Sequence, residues 1–353
     1  MDADSEFVFE LRVCQWAERE WPPGRQRRRP IIVARQLGTQ YRRWDTIIIE
    51  CDPDGLRERA NFGSDRLDSD LLDVLRFAPA EWAWYQDALP DPGYPWRYVR
   101  ESIHRAADRG ILETRKRGRR LEIRRKWAYP DWVERIVAIE NKPDLDASAA
   151  RALAAQIEQD VALALADEVW IATEGGENRR LRALLEDVPV EAGILAVEAG
   201  GVEPIWQPRS LVVSDPGTLI DERPSGSEYD ASAARFSYAD PDWKHDKRLE
   251  IAERAYERGW RSYADTMRPD CRHFRLVDVE SGFLPYCDAK SCHQTASVCR
   301  GACGDFEPEP PVWRTEGWPI EGGPGSGIKR LLDRQRRRKR PGLAAVNSGD
   351  ETG

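Results

Sequence analysis

The chain has 353 residues, of which 41% are hydrophobic and 33% charged, with a formal net charge of -8. That is apolar material for a sizeable core, in two or three domains at roughly 150 residues each. The acidic balance excludes a globally basic nucleic-acid binder, so any such contact must come from a local stripe. The lack of a run of about 18 apolar residues excludes a membrane-spanning helix.

The acidic start, MDADSEFVFE, lacks the basic, apolar, small-residue order of a secretory signal, so a cytoplasmic location is expected. Residues 5–21 predict a helix capped by Ser5, with Val8, Leu11 and Trp16 on one face. A turn over 22–30 leads into two strands, 31–37 and 42–50, expected to pair antiparallel. The texture then changes. Residues 65–128 predict three helices, including 81–89 and 95–110, followed by a short hairpin about Gly118, the order of a winged helix. A buried strand ending in Glu140-Asn141-Lys142 resumes the sheet pattern, followed by a helix over 147–166, a strand over 167–173, a helix over 178–187 and strands near 192–198 and 204–210. The simplest account is one α/β domain (1–64 and 129–209) interrupted by the segment 65–128. After it come a Ser/Pro/Gly/Asp-rich linker (210–240), a helix from Lys247 with a Cys-rich metal module (241–312), and a basic tail (313–353).

Asp45 interrupts the apolar strand WDTIII, and a buried carboxylate needs a partner or a cation. Glu140 and Lys142, two positions apart at a strand end, project to one face by strand alternation. The plain alternative is a surface ion pair where the strand runs out. If the two strands are neighbours, Asp45 and Glu140 converge on a site suited to Mg²⁺ or Mn²⁺, with Lys142 beside it to steady charge on a phosphate. Glu10, on the first helix, can reach the metal from the side, and Glu6 competes for that role. Glu50, at an odd offset from Asp45, faces away.

This ordered set resembles the PD-(D/E)XK nuclease superfamily: a helix with Glu10, an antiparallel strand with Asp45, and a strand ending Glu140-Asn141-Lys142. The resemblance covers residues 5–56 and 129–209. It implies a restriction-endonuclease-like mixed sheet flanked by helices, phosphodiester hydrolysis, and a polar residue on the next helix, here Gln156. Two features depart from the pattern. Asp45 and Glu140 lie 95 residues apart, and Trp44, not Pro, precedes Asp45. The inserted segment accounts for the first. The whole chain also resembles a haloarchaeal family, to which its Arg-rich, Lys-poor acidic composition is suited.

Within the insert, Arg100 and Arg105 on the third helix, with Arg115, Lys116, Arg117, Arg119 and Arg120 on the hairpin, form a dense positive stripe. Guanidinium groups pair well with phosphate, and a helix with a flanking wing is a workable DNA dock, with RNA the alternative. The competing account is a solvated charged hairpin. Near the C-terminus, Cys271, Cys287, Cys299 and Cys303 are the expected ligands of Zn²⁺ or, alternatively, an iron–sulfur cluster, with Cys292 and His293 as substitutes. Cys14 and Cys51 read as core residues.

Overall fold

The computed structural model describes residues 3–24, 29–40, 42–145, 147–175, 188–198, 201–222, 235–262, 271–279, 282–294, 299 and 302–307. The helix expected over 178–187 and the basic tail 313–353 lie outside the described residues.

The protein is mixed α/β. Its centre is a six-stranded sheet made of β1 (Ile31–Gly38), β2 (Arg43–Cys51), β6 (Val133–Asn141), β7 (Glu168–Glu174), β8 (Gly193–Glu198) and β9 (Gly201–Trp206), in that spatial order. β1 pairs antiparallel with β2 and β2 with β6, β6–β7–β8 are parallel, and β9 returns antiparallel. The stretch Ile136–Ile139 is fully buried because helices cover both faces of the sheet. On one face lies α1 (Ala3–Glu20), which buries Phe9, Leu11 and Val13 with Val33, Ile48, Val137 and Ile139. α6 (Ala147–Leu163) and α7 (Pro241–Arg258) cover the other face, against Ile47, Ile49, Ile136 and Ala138. α1 begins at Ala3, so Ser5 lies inside the helix and is not its cap.

Between β2 and β6 come α2 (Pro53–Ala60), α3 (Ser69–Phe77), β3 (Ala83–Trp84), α4 (Tyr85–Ala88), α5 (Trp96–Asp108), β4 (Leu112–Arg117) and β5 (Arg120–Arg125). The last three strands form a separate sheet, ordered β3-β5-β4. This segment packs in a separate apolar core, built on Leu71, Leu75, Ile103 and Ile123 and joined by Leu249 of α7. Gly118, at φ +63°, turns the hairpin. Residues 81–89 are not the single helix expected. Trp84 pairs with Glu122 and Ala83 with Ile123, so β-sheet pairing of an aromatic stretch outweighs its helical period.

The expected linker 210–240 contains a hairpin, β10 (Gly217–Glu222) with β11 (Arg235–Ala239). Leu219 and Ala239 pack on the host core, and Gly217 lies so close to α6 that a Cβ there would fall 2.2 Å from the Leu163 carbonyl oxygen. α7 starts at Pro241, not Lys247, because Asp240 caps it by accepting from Trp243 N at 2.8 Å. Its Ile251, Ala252 and Ala255 belong to the host core, so α7 is part of the α/β domain, not of the Cys-rich module. That module is a three-stranded sheet, β12 (Phe274–Val279), β13 (Gly282–Cys287) and β14 (Cys292–His293), whose Phe274 and Leu284 pack in the same core as α1.

Candidate active site at the end of β2 and β6

The β2–β6 ladder pairs Thr46 with Ile139, and one further step sets Asp45 opposite Glu140. Regular backbone pairing stops there. Asp45 Oδ2 accepts from Asn141 N at 2.9 Å, and Asp45 Oδ1 accepts from Gln36 Nε2 at 3.1 Å. Gln36 has φ +54°, a region that non-glycine residues seldom adopt and that marks strain at a site held by its surroundings. Strand alternation breaks at this level. Thr46 lies on the α1 side, where it contacts Cys14, so Trp44 should lie there too. Trp44 instead joins the α6-side core, as does its partner Leu37.

Gln36 Nε2 also donates to Glu10 Oε1 at 3.0 Å, tying Glu10 to Asp45. Arg35 holds Glu10 with two bonds, from Nε at 3.0 Å and Nη2 at 2.7 Å. On the other side, Glu140 Oε2 accepts from Arg42 Nη2 at 2.7 Å, and Arg42 Nε lies 3.1 Å from both oxygens of Asp160 on α6. Trp44 Nε1 fixes Asp160 at 2.9 Å. Glu10, Asp45 and Glu140 thus form a row across the sheet end. Glu10 is 6% exposed and Glu140 5%.

Burial and the neighbouring Asp45 charge raise the Glu140 pKa from 4.5 to about 7, against the lowering effects of Arg42 and Lys142. Glu10 is raised by burial, an effect that Arg35 opposes and Asp45 reinforces. Asp160 is raised by burial against the pull of Arg42.

Lys142 Nζ is 3.4 Å from Glu6 Oε1, so Glu6 is the partner of the lysine while Glu10 is the acid tied to Asp45. Glu50 is held away from the site by Trp21 Nε1 at 2.8 Å and Arg135 at 3.6 Å. Gln156 is exposed on α6. The side chain that reaches the strand end is Asp160, one helical turn further on. Asp160, Arg42, Arg35 and Gln36 are the residues that the sequence reading missed. A buried Asp one turn from an expected helix position, and an Arg just ahead of the Asp45 strand, were the available signals.

Asp45 and Glu140 are the residues that would hold a cation of the Mg²⁺ type, which one or two carboxylates bind while it keeps several waters. Glu140 Oε2 is committed to Arg42, which leaves Oε1 as its available donor. Register sets Cys287 opposite Cys292 across β13 and β14, Cys299 is buried in the α1-side core, and Cys271 packs against that core. Among the described residues no three His, Cys, Asp or Glu side chains form a group that could hold a metal ion, neither at Glu10, Asp45 and Glu140 nor at Cys271, Cys287, Cys299 and Cys303.

The basic stripe is partly neutralised. Arg105 is paired with Asp68 at 2.7 Å and Asp70 at 3.7 Å. Arg115 is paired with Glu122 at 2.7 Å and lies over Trp82, while Arg120 lies over Trp84 with its guanidinium carbon 4.6 Å from the ring centroid. Arg117 is 3.9 Å from Glu122. Arg100, Lys116 and Arg119 are exposed. Among the described residues no helix is long and apolar enough to cross a membrane.

No curated protein and no solved structure matches the chain at a significant level. The profile of one family matches residues 32–308, a span that holds Asp45, Glu140 and Asp160. The chain therefore belongs to DUF5787, a family of unknown function.

Proposed function

We propose that this protein is a Mg²⁺-dependent nuclease that hydrolyses phosphodiester bonds of DNA at Asp45 and Glu140, on a restriction-endonuclease-like domain interrupted by a winged helix. The observation that carries the reading is the row of carboxylates at one sheet end, two of them buried, in which the Asp45 charge helps to raise Glu140 to about 7. Two acids held in mutual repulsion favour a divalent cation between them. When bound, such an ion polarises a phosphoryl oxygen and lowers the pKa of a coordinated water. The residues of the chain divide the remaining work. Asp45 is oriented by Gln36 and by Asn141 N. Glu10, clamped by Arg35, positions Gln36 and through it Asp45. Lys142 adds positive charge beside Glu140, where a phosphate would gain negative charge. The direct test is cleavage of a panel of labelled duplex, branched and single-stranded DNAs, with RNA alongside, in Mg²⁺ or Mn²⁺ and high potassium. Cleavage that EDTA abolishes supports the reading.

One observation favours a second reading, a non-catalytic DNA-binding protein on the same scaffold. Arg42 already pairs with Glu140, in the place where a cation would sit. That reading keeps DNA binding and gives no cleavage of any substrate in the panel.

Under either reading the wing carries the electrostatic contact. Replacing Arg117, Arg119 and Arg120 with Ser should reduce the salt slope of duplex binding by about two to three units, since each neutralised phosphate contributes about 0.9. Unrelated sequences should weaken equally, because phosphate contacts position a protein without reading bases. The measurement is affinity across a potassium series with Ca²⁺ in place of Mg²⁺. An unchanged slope would show that the wing does not touch nucleic acid.

A further inference from the structure

A cavity of about 620 Å³ opens where the β1–β2 turn, the start of the inserted segment and α7 meet. Its polar wall carries Arg66, Lys247 and Arg254, together with Asp68, Glu250 and the ring of Trp243. The acids are already committed. Glu250 accepts from Lys247 at 2.9 Å and from Ser69 at 2.9 Å. Asp68 caps α3 through Leu71 N at 3.1 Å and pairs with Arg105. Lys247 is therefore neutralised within the wall, whereas the ion pair of Arg66 runs to Glu257, outside the wall.

Arg254 is half-buried, and among the described residues no carboxylate lies within ion-pair distance of it. Its protein hydrogen bonds run to the backbone carbonyls of Gly38 and Glu250, so Nη1 is left for another acceptor. Burial lowers its pKa, the nearby Glu250 charge opposes that lowering, and the charges of Arg66 and Arg258 add to it. Arg66 lies 3.9 Å from Glu257, the outer limit of an ion pair. A half-buried guanidinium that lines a cavity, with no carboxylate at ion-pair distance among the described residues, is an arrangement that an anion relieves.

We propose that this cavity binds a phosphate group between Arg254 and Arg66, with an attached nucleobase against Trp243. Guanidinium groups match phosphate oxygens in pairs, and bases stack on tryptophan without regard to sequence. The phosphate can belong to a free nucleotide or to one residue of a nucleic-acid strand. In either case the ligand contacts Gly38 and Thr39, in the same turn that carries Arg42 to Glu140. This inference is independent of the cleavage reading, because it requires neither Asp45 nor a metal.

The experiment is calorimetric titration of the full chain with adenosine monophosphate and with a short single-stranded oligonucleotide, in low salt with EDTA, so that hydrolysis cannot contribute. Adenosine alone is the phosphate-free control. One saturable site is expected, with no binding of adenosine. Arg254→Met and, separately, Arg66→Ser should each weaken it at least about tenfold, the scale of a charge-assisted bond, and Arg254→Lys should weaken it less than Arg254→Met. Arg66→Ser keeps the test decisive if the Gly38 contact makes Arg254→Met unstable. Binding of the monophosphate assigns a nucleotide site; binding of the oligonucleotide alone, lost in the same variants, assigns a strand-tracking site. Failure of both probes to saturate, or equal affinity in the wild type and Arg66→Ser, overturns the proposal.

Discussion

Glu140→Gln is expected to lower Mg²⁺-dependent DNA cleavage by about a thousandfold, the upper range for loss of one preorganised electrostatic group, while making the metal-free protein more stable at pH 8. Both effects come from the same burial. In the fold the Glu140 pKa rises to about 7 from a reference of 4.5. Between those values the folded state binds more protons than the unfolded state, so the contribution of this group falls as pH rises. Above pH 7 the full cost of ionised Glu140 is present, with an upper bound of about 3 kcal/mol. Glutamine carries no such cost. The melting temperature of the variant minus that of the wild type should therefore be small near pH 4.5, grow through pH 7, and then level off. Mg²⁺ should raise the wild-type melting temperature at pH 8 and leave Glu140→Gln unmoved. A melting difference that is flat with pH would remove the electrostatic account of the site. Undiminished cleavage would remove Glu140 from the chemistry.

The second large effect lies at the junction of host and insert. Arg59 and Glu253 are almost fully buried, at 0% and 1% side-chain exposure. Arg59 donates to Glu253 from Nε at 2.6 Å and from Nη2, and its other hydrogen bonds reach the carbonyls of Gly63 and Asp65. Glu253 also accepts from Leu67 N at 2.9 Å and from the Tyr129 hydroxyl at 2.8 Å. One carboxylate on α7 thus ties down both the start of the insert and the return of the chain. Breaking such a pair leaves a charge without compensation, so Arg59→Met or Glu253→Gln should cost about 3–5 kcal/mol. The measurement is urea unfolding at pH 7. The two single changes should exceed the double change in which Met replaces Arg59 and Leu replaces Glu253, because the double variant buries no lone charge. Additive costs would contradict this account.

The sequence made the sheet strands legible because their apolar runs are long and ended by turn residues. β1, β2, β6 and β8 fall within a residue or so of expectation. Asp45 and Glu140 were legible as charges that interrupt apolar strands. The network around them was not. Period-two alternation fails where Gln36 takes a positive φ, so no pattern indicates that Trp44 turns to the α6 side or that Gln36 reaches Asp45. Arg42 and Asp160 are far apart in the chain, and only the packing of α6 brings them together. The β10–β11 hairpin was hidden because residues 210–240 have the composition of a linker, although Leu219 and Ala239 are anchored in the core.

The neck of the insert has a kinetic consequence. Cys51 pairs with Val133 and Asp52 N bonds to Trp132 O at 3.0 Å, so the chain leaves and re-enters the sheet at adjacent points. β2 emerges early in synthesis, but its partner β6 follows only after the whole insert. Until then one edge of β2 has no β6 to pair with, and closing so long a loop is entropically slow. An insert that collapses first, on a core whose residues are mostly its own, replaces that loop with a compact body whose two ends are already close, and the search for the β2–β6 pairing shortens accordingly. The speed at which the two acids meet is then set by how fast the insert folds.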